Sequence, residues 1–435
     1  MSESSIGRAA AETASGASFG EALKVFAKIG LLSFGGPAAQ IAVMHRILVD
    51  EVKWLDEGRF LRALNFCMLL PGPEATQLVT YAGWRLHGVK GGVAAGLLFV
   101  LPGALVMLAL AASYVAFGAV PLVAAIFFGI KAAVLAIVFE ALLRVARRAL
   151  KGSTDWAIAA AAFLALFVFD LPFPLVIATA ALLGFFRVAA PASESGLGKP
   201  VDVYGTVLTI AVWLAVWLAP LAVLALALGP DHVLAAVGLF FSKLAIVTFG
   251  GAYAVLAYMT QQAVETHGWV MPGEMIDGLG LAETTPGPLI LVTEFVGYIA
   301  GHRFAGGFWG GVAAALVTLW VTFVPSYLFI FAGAPYIERL ASMPRLSGAL
   351  AAITAAVVGV IANLSIWFGL HVLFTRVDSL PVGIAAVPRP DWATLDMASL
   401  ALLVVASLML FRLHAGIIMT LALSAVLGAA WKMLA

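Results

Sequence analysis

The residues best suited to chemistry are polar and ionisable side chains beside a Pro-Gly-Pro turn within apolar sequence. The turn Pro71-Gly72-Pro73 is followed at once by Glu74. A helix that breaks inside a bilayer leaves backbone N–H and C=O groups without partners, and each such group costs several kcal/mol. The half-helix that starts after the break has free N–H groups and about +0.5 charge, which attract an anion. The turn therefore predicts an anion site, with a simple packing kink as the alternative.

The same turn recurs in the second half of the chain. Pro286, Gly287 and Pro288 repeat it, and 286 minus 71 is 215. Further pairs that differ by 215 are Lys28 with Lys243, Gly35 with Gly250, Gly36 with Gly251, Trp54 with Trp269, and His87 with His302. Because Gly, Pro, Trp, Lys and His carry the match rather than interchangeable aliphatic residues, it indicates a duplication.

The predicted substrate-binding residues lie in or beside the breaks. They are Lys28, Gly35, Gly36, Pro71, Gly72, Pro73, Glu74, Thr76, Gln77, Lys243, Gly250, Gly251, Thr284, Thr285, Pro286, Gly287 and Pro288. Lys28 and Lys243 occupy equivalent positions before a Phe-Gly-Gly and suit a divalent anion, with snorkelling to an interface as the alternative. The hydroxyl and amide groups add donors, although such groups are more often satisfied within their own helix.

Three glutamates are the predicted proton-coupling residues: Glu283, Glu294 and Glu74. A carboxylate inside an apolar segment is costly, and proton coupling is its usual role there. Glu74 and Glu283 flank their turns from opposite sides, so they are not repeat equivalents. For each of them a structural ion pair or a helix N-terminal charge stays open.

The composition defines the fold class. Of 435 residues, 63% are hydrophobic and 11% are charged, whereas a soluble domain has about 25% charged residues. We predict an all-α polytopic membrane protein with about 12–13 hydrophobic segments, because apolar runs of about 20 residues cross a hydrocarbon core. The net charge of +1 gives no case for a nucleic-acid partner.

Five segments are predicted along the chain. They are a disordered tail at 1–18, an N-terminal transporter repeat at 19–187, a cytoplasmic linker at 188–202, an odd linking transmembrane helix at 203–228 and a C-terminal transporter repeat at 229–435. Basic residues accumulate in cytoplasmic loops, which places 144–151 inside. The odd helix then turns the second copy over, so we predict inverted-topology repeats whose broken helices are either spanning or re-entrant.

Several functional classes lack their signatures. No pair of histidines or carboxylates has metal-ligand spacing, so neither a metal nor a cofactor is predicted. There is no Walker loop or nucleotide fingerprint, which excludes ATP-driven transport by this chain alone. An intramembrane enzyme acting on a phosphorylated lipid would need a nucleophile with a base, which is not recognisable here. A channel is a further rival.

Four stretches resemble the chromate ion transporter family in its long form, with two fused homologous halves. They are FGGPAAQIAVMH at 34–45, LLPGPEATQLVTYAGW at 69–84, TFGGAYAVL at 248–256 and ETTPGPLILVTEFVGY at 283–298. The resemblance implies export of chromate across the inner membrane, driven by the proton gradient, with sulfate or another oxyanion as the alternative substrate. The implied partners are the oxyanion, protons and the lipid bilayer, and a homodimer is left open.

Overall fold

The structure is a computed structural model of the chain. It describes residues 17–188, 203–249, 252–337, 343–382 and 385–434. Most of the predicted tail and linker lies outside the described residues, as do Gly250 and Gly251. The interpretations of those segments therefore stay predictions.

The described part of the first half of the chain folds into eight helices. The helices are α1 (Phe19–Leu32), α2 (Gly36–His45) with a π-helical turn (Arg46–Glu51), α3 (Glu57–Leu69), α4 (Glu74–Phe117), α5 (Pro121–Ala149), α6 (Ser153–Phe167), α7 (Phe173–Arg187) and α8 (Val203–Leu228). The predicted odd helix at 203–228 is α8. Helix α4 is kinked, because His87 and Gly88 have non-helical backbone angles.

The second half repeats this helical organisation and adds a hairpin. Its helices are α9 (Val233–Val247), α10 (Ala252–Thr260) with a π-helical turn (Gln261–Thr266), α11 (Pro272–Thr284), α12 (Val292–Phe304), α13 (Gly307–Gly333), α14 (Pro344–Leu373), α15 (Met397–Ser407) with a π-helical end (Leu408–Arg412) and α16 (Ile417–Leu434). Short 3-10 turns lie at Leu289–Leu291, Ala334–Tyr336 and Trp392–Thr394. Strands β1 (Val377–Val382) and β2 (Ala385–Pro390) pair antiparallel, with Val377 opposite Pro390.

The duplication is visible in the backbone. Helices α3 and α11 begin and end at equivalent residues, since 272 minus 57 and 284 minus 69 are both 215. Helices α2 and α10 each continue into a π-helical turn that ends at residue 51 and at its equivalent, 266. Lys53 and its equivalent Gly268 both have positive φ, at 53° and 60°. The sequence repeat therefore corresponds to a repeat of local structure.

The chain forms two compact units that interleave along the sequence. The first comprises Met1–Ala109, Pro191–Gly251 and Thr285–Met343, and the second comprises Leu110–Ala190, Ala252–Thr284 and Pro344–Ala435. Each unit thus takes segments from both sequence repeats. The predicted repeats describe how the sequence is organised, whereas these units describe which segments pack together.

Six helices in the described part of the chain are long and apolar enough to cross a membrane. They are α4, α5, α8, α13 with its 3-10 extension, α14 and α16. Shorter apolar helices are α6, α7, α9 and α15 with its π-helical end. These helices confirm the predicted all-α polytopic fold class, in which the single hairpin is a small addition.

Helix packing in the second unit depends on small residues. Gly129 of α5 faces Gly428 of α16, and a Cβ added at Gly428 would lie 2.5 Å from the backbone of Gly129. Such close contacts are how membrane helices gain packing energy without a hydrophobic driving force between them.

We expect Gly428→Val to lower the stability of the protein by about 1–3 kcal/mol, because the added side chain must push two backbones apart. The measurement is the thermal unfolding midpoint in detergent, followed by fluorescence-detected size exclusion. Gly416→Ala is the matched control, because an added Cβ there meets nothing within 4 Å. Equal midpoints for the two variants would contradict the close packing of α5 and α16.

Candidate functional site

The two Pro-Gly-Pro turns connect helices in the same way in both repeats. The first lies between the end of α3 at Leu69 and the start of α4 at Glu74, and the second follows the end of α11 at Thr284. Gly72 and Gly287 have φ of 116° and 88°, which L-residues with a side chain adopt only with strain. The prolines and glycines therefore end one helix and set the direction of the next, as the sequence predicted.

Reciprocal hydrogen bonds join each turn to the other repeat within the first compact unit. The Gly72 N–H donates to the carbonyl of Thr248 at 2.8 Å, and the Gly287 N–H donates to the carbonyl of Ser33 at 2.7 Å. Both differences, 287 minus 72 and 248 minus 33, are 215. Because Ser33 and Thr248 cap the C-termini of α1 and α9, the bonds satisfy carbonyls that a broken helix leaves free.

The helix ends that accept these bonds are equivalent in their side chains too. The Ser33 hydroxyl donates to the carbonyl of Ile29 at 2.7 Å, and the Thr248 hydroxyl donates to the carbonyl of Leu244 at 2.6 Å. The two Pro-Gly-Pro turns and the C-termini of α1 and α9 are thus joined by pseudo-symmetric backbone hydrogen bonds.

The first turn has polar surroundings. Gln77 donates its amide to the carbonyl of Pro71 at 2.6 Å. A Cβ added at Gly72 would lie 2.9 Å from the Gln77 amide nitrogen and 3.5 Å from the hydroxyl oxygen of Ser326. Sequence reasoning missed Ser326, whose position beside this turn depends on the packing of α13.

The second turn is packed more tightly and with less polar neighbours. A Cβ at Gly287 would meet a Leu291 methyl group at 3.3 Å and the Phe99 carbonyl at 3.5 Å, and one at Gly103 would overlap the carbonyl of Pro286. Its one side-chain hydrogen bond in the described structure comes from Gln40, which donates to the carbonyl of Gly287 at 2.6 Å. The two turns are therefore equivalent in backbone but different in environment.

Several buried polar atoms of the first unit have no hydrogen-bond partner in the described structure. They are the hydroxyls of Thr76, Thr80, Ser242, Thr322 and Ser326, the amide oxygens of Gln40 and Gln77, and both carboxylate oxygens of Glu294. Thr76 stands out because it is fully buried and lies in the first turn of α4. A buried hydroxyl without a partner costs free energy, so a ligand or water that accepts its hydrogen bond would stabilise this region.

The predicted proton-coupling glutamates have different surroundings. Glu294 is fully buried in α12, while Glu74 is half-buried in the first turn of α4. Glu283 belongs to the second unit, where one oxygen accepts a hydrogen bond of 2.5 Å from the Tyr253 hydroxyl and the other has no partner in the described structure. Burial without a compensating charge is the condition under which a carboxyl group exchanges protons rather than serving as a fixed charge.

The two repeat-equivalent lysines lie on exposed faces. The Lys28 ammonium is 2.7 Å from Glu51, and their side chains are 50% and 40% exposed. This hydrogen bond holds the pKa of Glu51 below its ordinary value. Lys243 is also exposed. These positions agree with the interfacial alternative for both lysines, and their participation in anion binding stays a prediction.

Comparison with known proteins identifies the family. The family profile described as "Chromate transporter" matches residues 20–185 and 235–429, together well over half of the chain. This chain belongs to the chromate transporter family. The two separate matches also confirm that the chain consists of two fused homologous halves.

Relatives in the chromate transporter family align over most of the chain. It is 36% identical over 365 residues to a chromate transport protein of Pseudomonas aeruginosa, covering 83% of each chain. It is 28% identical over 340 residues to a chromate transport protein of Cupriavidus metallidurans, covering 78% of this chain and 79% of that protein. An uncharacterised transporter of Methanocaldococcus jannaschii is 26% identical over 405 residues, covering 93% and 92%. No solved structure matches the chain.

Family membership decides against the enzyme that the sequence left as a rival. The relatives are transport proteins, so this chain is a multi-pass membrane transporter and not an enzyme. Among the described residues there is also no group of three or more His, Cys, Asp or Glu side chains that could hold a metal ion.

The other predicted site residues of the transporter lie around the breaks. Gly35 and Gly36 have φ of 81° and 80° and start α2. Thr284 is exposed and donates to the carbonyl of Leu281, whereas Thr285 is buried. Gly35 and Gly36 thus allow the positive φ angles at this break, and the hydroxyl of Thr284 has its hydrogen-bond partner within its own helix.

One ion pair with a buried carboxylate was missed by sequence reasoning. Asp277 of α11 is 2% exposed and lies 3.3 Å from the Lys131 ammonium of α5. The Tyr114 hydroxyl donates to the same Asp277 oxygen at 2.8 Å. Lys131 could have been recognised from the sequence as a candidate, because it is the first charged residue in the apolar run that begins at Pro121. Its partner could not be inferred, since the two residues lie in different repeats.

Proposed function

We propose that this protein is a secondary active transporter that exports chromate across the inner membrane, driven by the proton gradient. Its membership of the chromate transporter family supports the substrate class, because the relatives in Pseudomonas aeruginosa and Cupriavidus metallidurans are chromate transport proteins. Sulfate has the same tetrahedral shape and charge and is the competing substrate to be tested.

The observation that carries the proposal is the first Pro-Gly-Pro turn, with its free donors at the start of α4. Chromate is a dianion, and the N-terminus of a helix offers unpaired N–H groups and positive potential. The hydroxyls of Thr76 and Ser326 are buried without partners in the described structure, and Ser326 lies beside Gly72. These groups supply the neutral donors that bind a tetrahedral oxyanion without a permanent positive charge.

The reciprocal bonds between the repeats give this site a route to alternating access. Each turn is tied to a helix end of the other repeat, so a movement of one repeat relative to the other moves both breaks together. In transporters with inverted repeats, rocking of one repeat against the other exposes a midplane site to each side in turn. We propose the same kind of motion here.

Proton coupling is assigned to the buried glutamates. A charge on Glu294 would be uncompensated in this state, because neither oxygen has a partner in the described structure. Glu74 stands at the helix terminus proposed for the anion, where its own charge would compete with the oxyanion. Glu283 shares a hydrogen bond with Tyr253. Loss or gain of a proton at these positions would change the affinity of the site for a dianion.

The test is flux into proteoliposomes that contain the purified protein, with chromate and sulfate compared across imposed pH gradients. We expect saturable chromate flux that accelerates when a proton gradient is imposed, since one pH unit supplies about 1.4 kcal/mol per coupled proton. Protein-free liposomes are the control. An absence of flux for both oxyanions would overturn the proposal, and sulfate flux without chromate flux would reassign the substrate. Large unsaturable ionic currents would indicate a channel instead.

A further inference from the structure

The ion pair of the buried Asp277 with the part-exposed Lys131 in the second unit has a geometry that folding alone does not explain. One oxygen of Asp277 contacts both Lys131 and the Tyr114 hydroxyl, while the other is buried with no partner in the described structure. The Lys131 side chain is 30% exposed, so the group that loses its water is the Asp277 carboxylate. Burying a carboxylate with one oxygen unsatisfied costs free energy that a single ion pair need not regain, and an apolar side chain of similar volume often stabilises a protein as well or better. The arrangement therefore indicates that the charge of the Asp277 carboxylate has a role in function.

The position of the pair along α5 places it inside the membrane but near one side. Lys131 lies ten residues from the start of α5 at Pro121 and eighteen from its end at Ala149. At 1.5 Å per residue, this is about 15 Å from one end and about 27 Å from the other. Arg147 and Arg148 lie in the last turn of α5, so the distant end is cytoplasmic. The pair thus lies in the outer half of the span.

A cavity of about 460 Å³ in the second unit reaches the start of α11, the helix that carries Asp277. It is lined by polar side chains that include Asp170, Glu265 and His371, and it reaches Pro272, the first residue of α11. Asp277 lies five residues further along α11, about 7.5 Å in axial rise. Thr260 also lines this cavity, and its hydroxyl is buried without a partner in the described structure. Water in the cavity would bring protons to within two helical turns of Asp277.

A second acid lies deeper along the same pair of helices. Glu283 is six residues beyond Asp277 on α11, about 9 Å further in, and bonds Tyr253. On α5, Glu140 is nine residues beyond Lys131 and pairs with Arg144 at 2.6 Å. Titratable groups therefore occur at two successive depths along α5 and α11.

The charged and titratable surroundings of Asp277 are few. Its electrostatic partners are Lys131 and Tyr114, together with Glu274 in the first turn of α11. Helices α14 and α16 also pack against α11. Their titratable side chains are Arg345 and His371 on α14 and Lys432 on α16. Lys432 lies 4.5 Å over the Phe128 ring, and His371 contacts the Trp367 carbonyl, which leaves Lys131 as the direct counter-charge of Asp277.

We propose that Asp277 is a proton-binding site of this transporter and that Lys131 sets its occupancy. The inference rests on the proposed function, since it adds to the buried glutamates a further residue through which the proton gradient acts. The carboxylate takes up one proton and becomes a neutral acid, which leaves the part-exposed Lys131 ammonium without its counter-charge. When the proton leaves, the ion pair forms again. Exchange between these two states alters the contact between α5 and α11, and this links proton movement to the conformation of the second unit.

The test uses the double variant Asp277→Asn/Lys131→Gln, which removes both charges and so leaves no uncompensated charge in the interior. In proteoliposomes we expect chromate exchange, with chromate on both sides and no gradient, to continue at a rate close to that of the wild type. Accumulation driven by an imposed pH gradient should fall to the level seen without a gradient. Glu274→Gln, three residues earlier on α11, is the matched control and should retain the response. A double variant that responds to the gradient like the wild type would overturn the proposal.

An independent measurement separates this inference from the proposed function. Infrared difference spectra of the wild-type protein, with isotope-labelled aspartate, should show a protonated carboxyl band that titrates with pH. This band should be absent from the double variant. If the wild type transports no chromate or ignores the gradient, the proposed function fails, and the spectra still decide whether Asp277 binds a proton. If the wild-type spectrum has no titrating aspartate band, or if that band persists in the double variant, Asp277 is not the proton-binding site, even when transport is proton-driven.

Discussion

Replacing Gly103 with alanine is expected to reduce chromate transport at least about tenfold, without preventing insertion of the protein into the membrane. Gly103 lies in α4, where a Cβ would overlap the carbonyl oxygen of Pro286. Backbone cannot rotate away as a flexible side chain can, so the second Pro-Gly-Pro turn must shift. Overpacking of this kind costs about 1–3 kcal/mol. Because Gly287 donates to Ser33 across the repeats, the shift would also strain the contact that joins the two breaks.

The measurement is initial chromate flux in proteoliposomes, normalised to the amount of protein that elutes as a single species in detergent. Gly20→Ala is the control, because an added Cβ at Gly20 in α1 meets nothing within 4 Å. A Gly103→Ala protein with wild-type flux would show that the second turn does not need its present position for transport.

Thr76→Val is expected to raise the KM for chromate about tenfold or more, with little change in folding. Valine matches the shape of threonine but lacks the hydroxyl, which is fully buried and without a partner in the described structure. A hydrogen bond to a charged ligand contributes about 1.5–3 kcal/mol, and 1.4 kcal/mol is a factor of about ten in affinity. The loss should appear in KM for chromate and for sulfate alike, because both dianions would use the same donor.

Thr318→Val is the matched control for this experiment. Thr318 is equally buried in the same unit, but its hydroxyl already donates to the carbonyl of Ala314 at 2.8 Å. We expect its KM to stay close to that of the wild type. If the two variants have the same KM, the free hydroxyl of Thr76 does not face the oxyanion, and the site must be sought elsewhere in the first unit.

Much of the fold could be predicted because it follows from local chemistry. Low charge and repeated apolar runs define a polytopic helical protein, since only helices satisfy their own backbone groups along a membrane-spanning segment. Proline and glycine mark the breaks at 71–73 and 286–288, where the structure has its turns. The constant offset of 215 predicted the repeat, and the matching bounds of α3 and α11 confirm it. The family resemblance rested on these same breaks.

The candidate site was predicted less completely, because side-chain environments depend on partners far away in the chain. The two turns have equivalent sequences, yet in the folded protein Ser326 lies beside the first turn and Gly103 packs against the second. Lys28 is suited by type to bind an anion, but the fold places it on an exposed face beside Glu51. These differences arise from contacts between helices, which have no signature in either local segment.

The sequence by itself determined that this protein is duplicated and membrane-embedded with broken helices, because composition, proline, glycine and the repeat are all properties of the linear chain. Only the tertiary structure decided that each turn bonds a helix end of the other repeat, and that the buried Asp277 forms an ion pair with Lys131, 146 residues away since 277 minus 131 is 146. The physical reason is the same in both cases. The environment of a buried polar group is set by its hydrogen-bond or ion-pair partner. In both cases that partner comes from the other repeat.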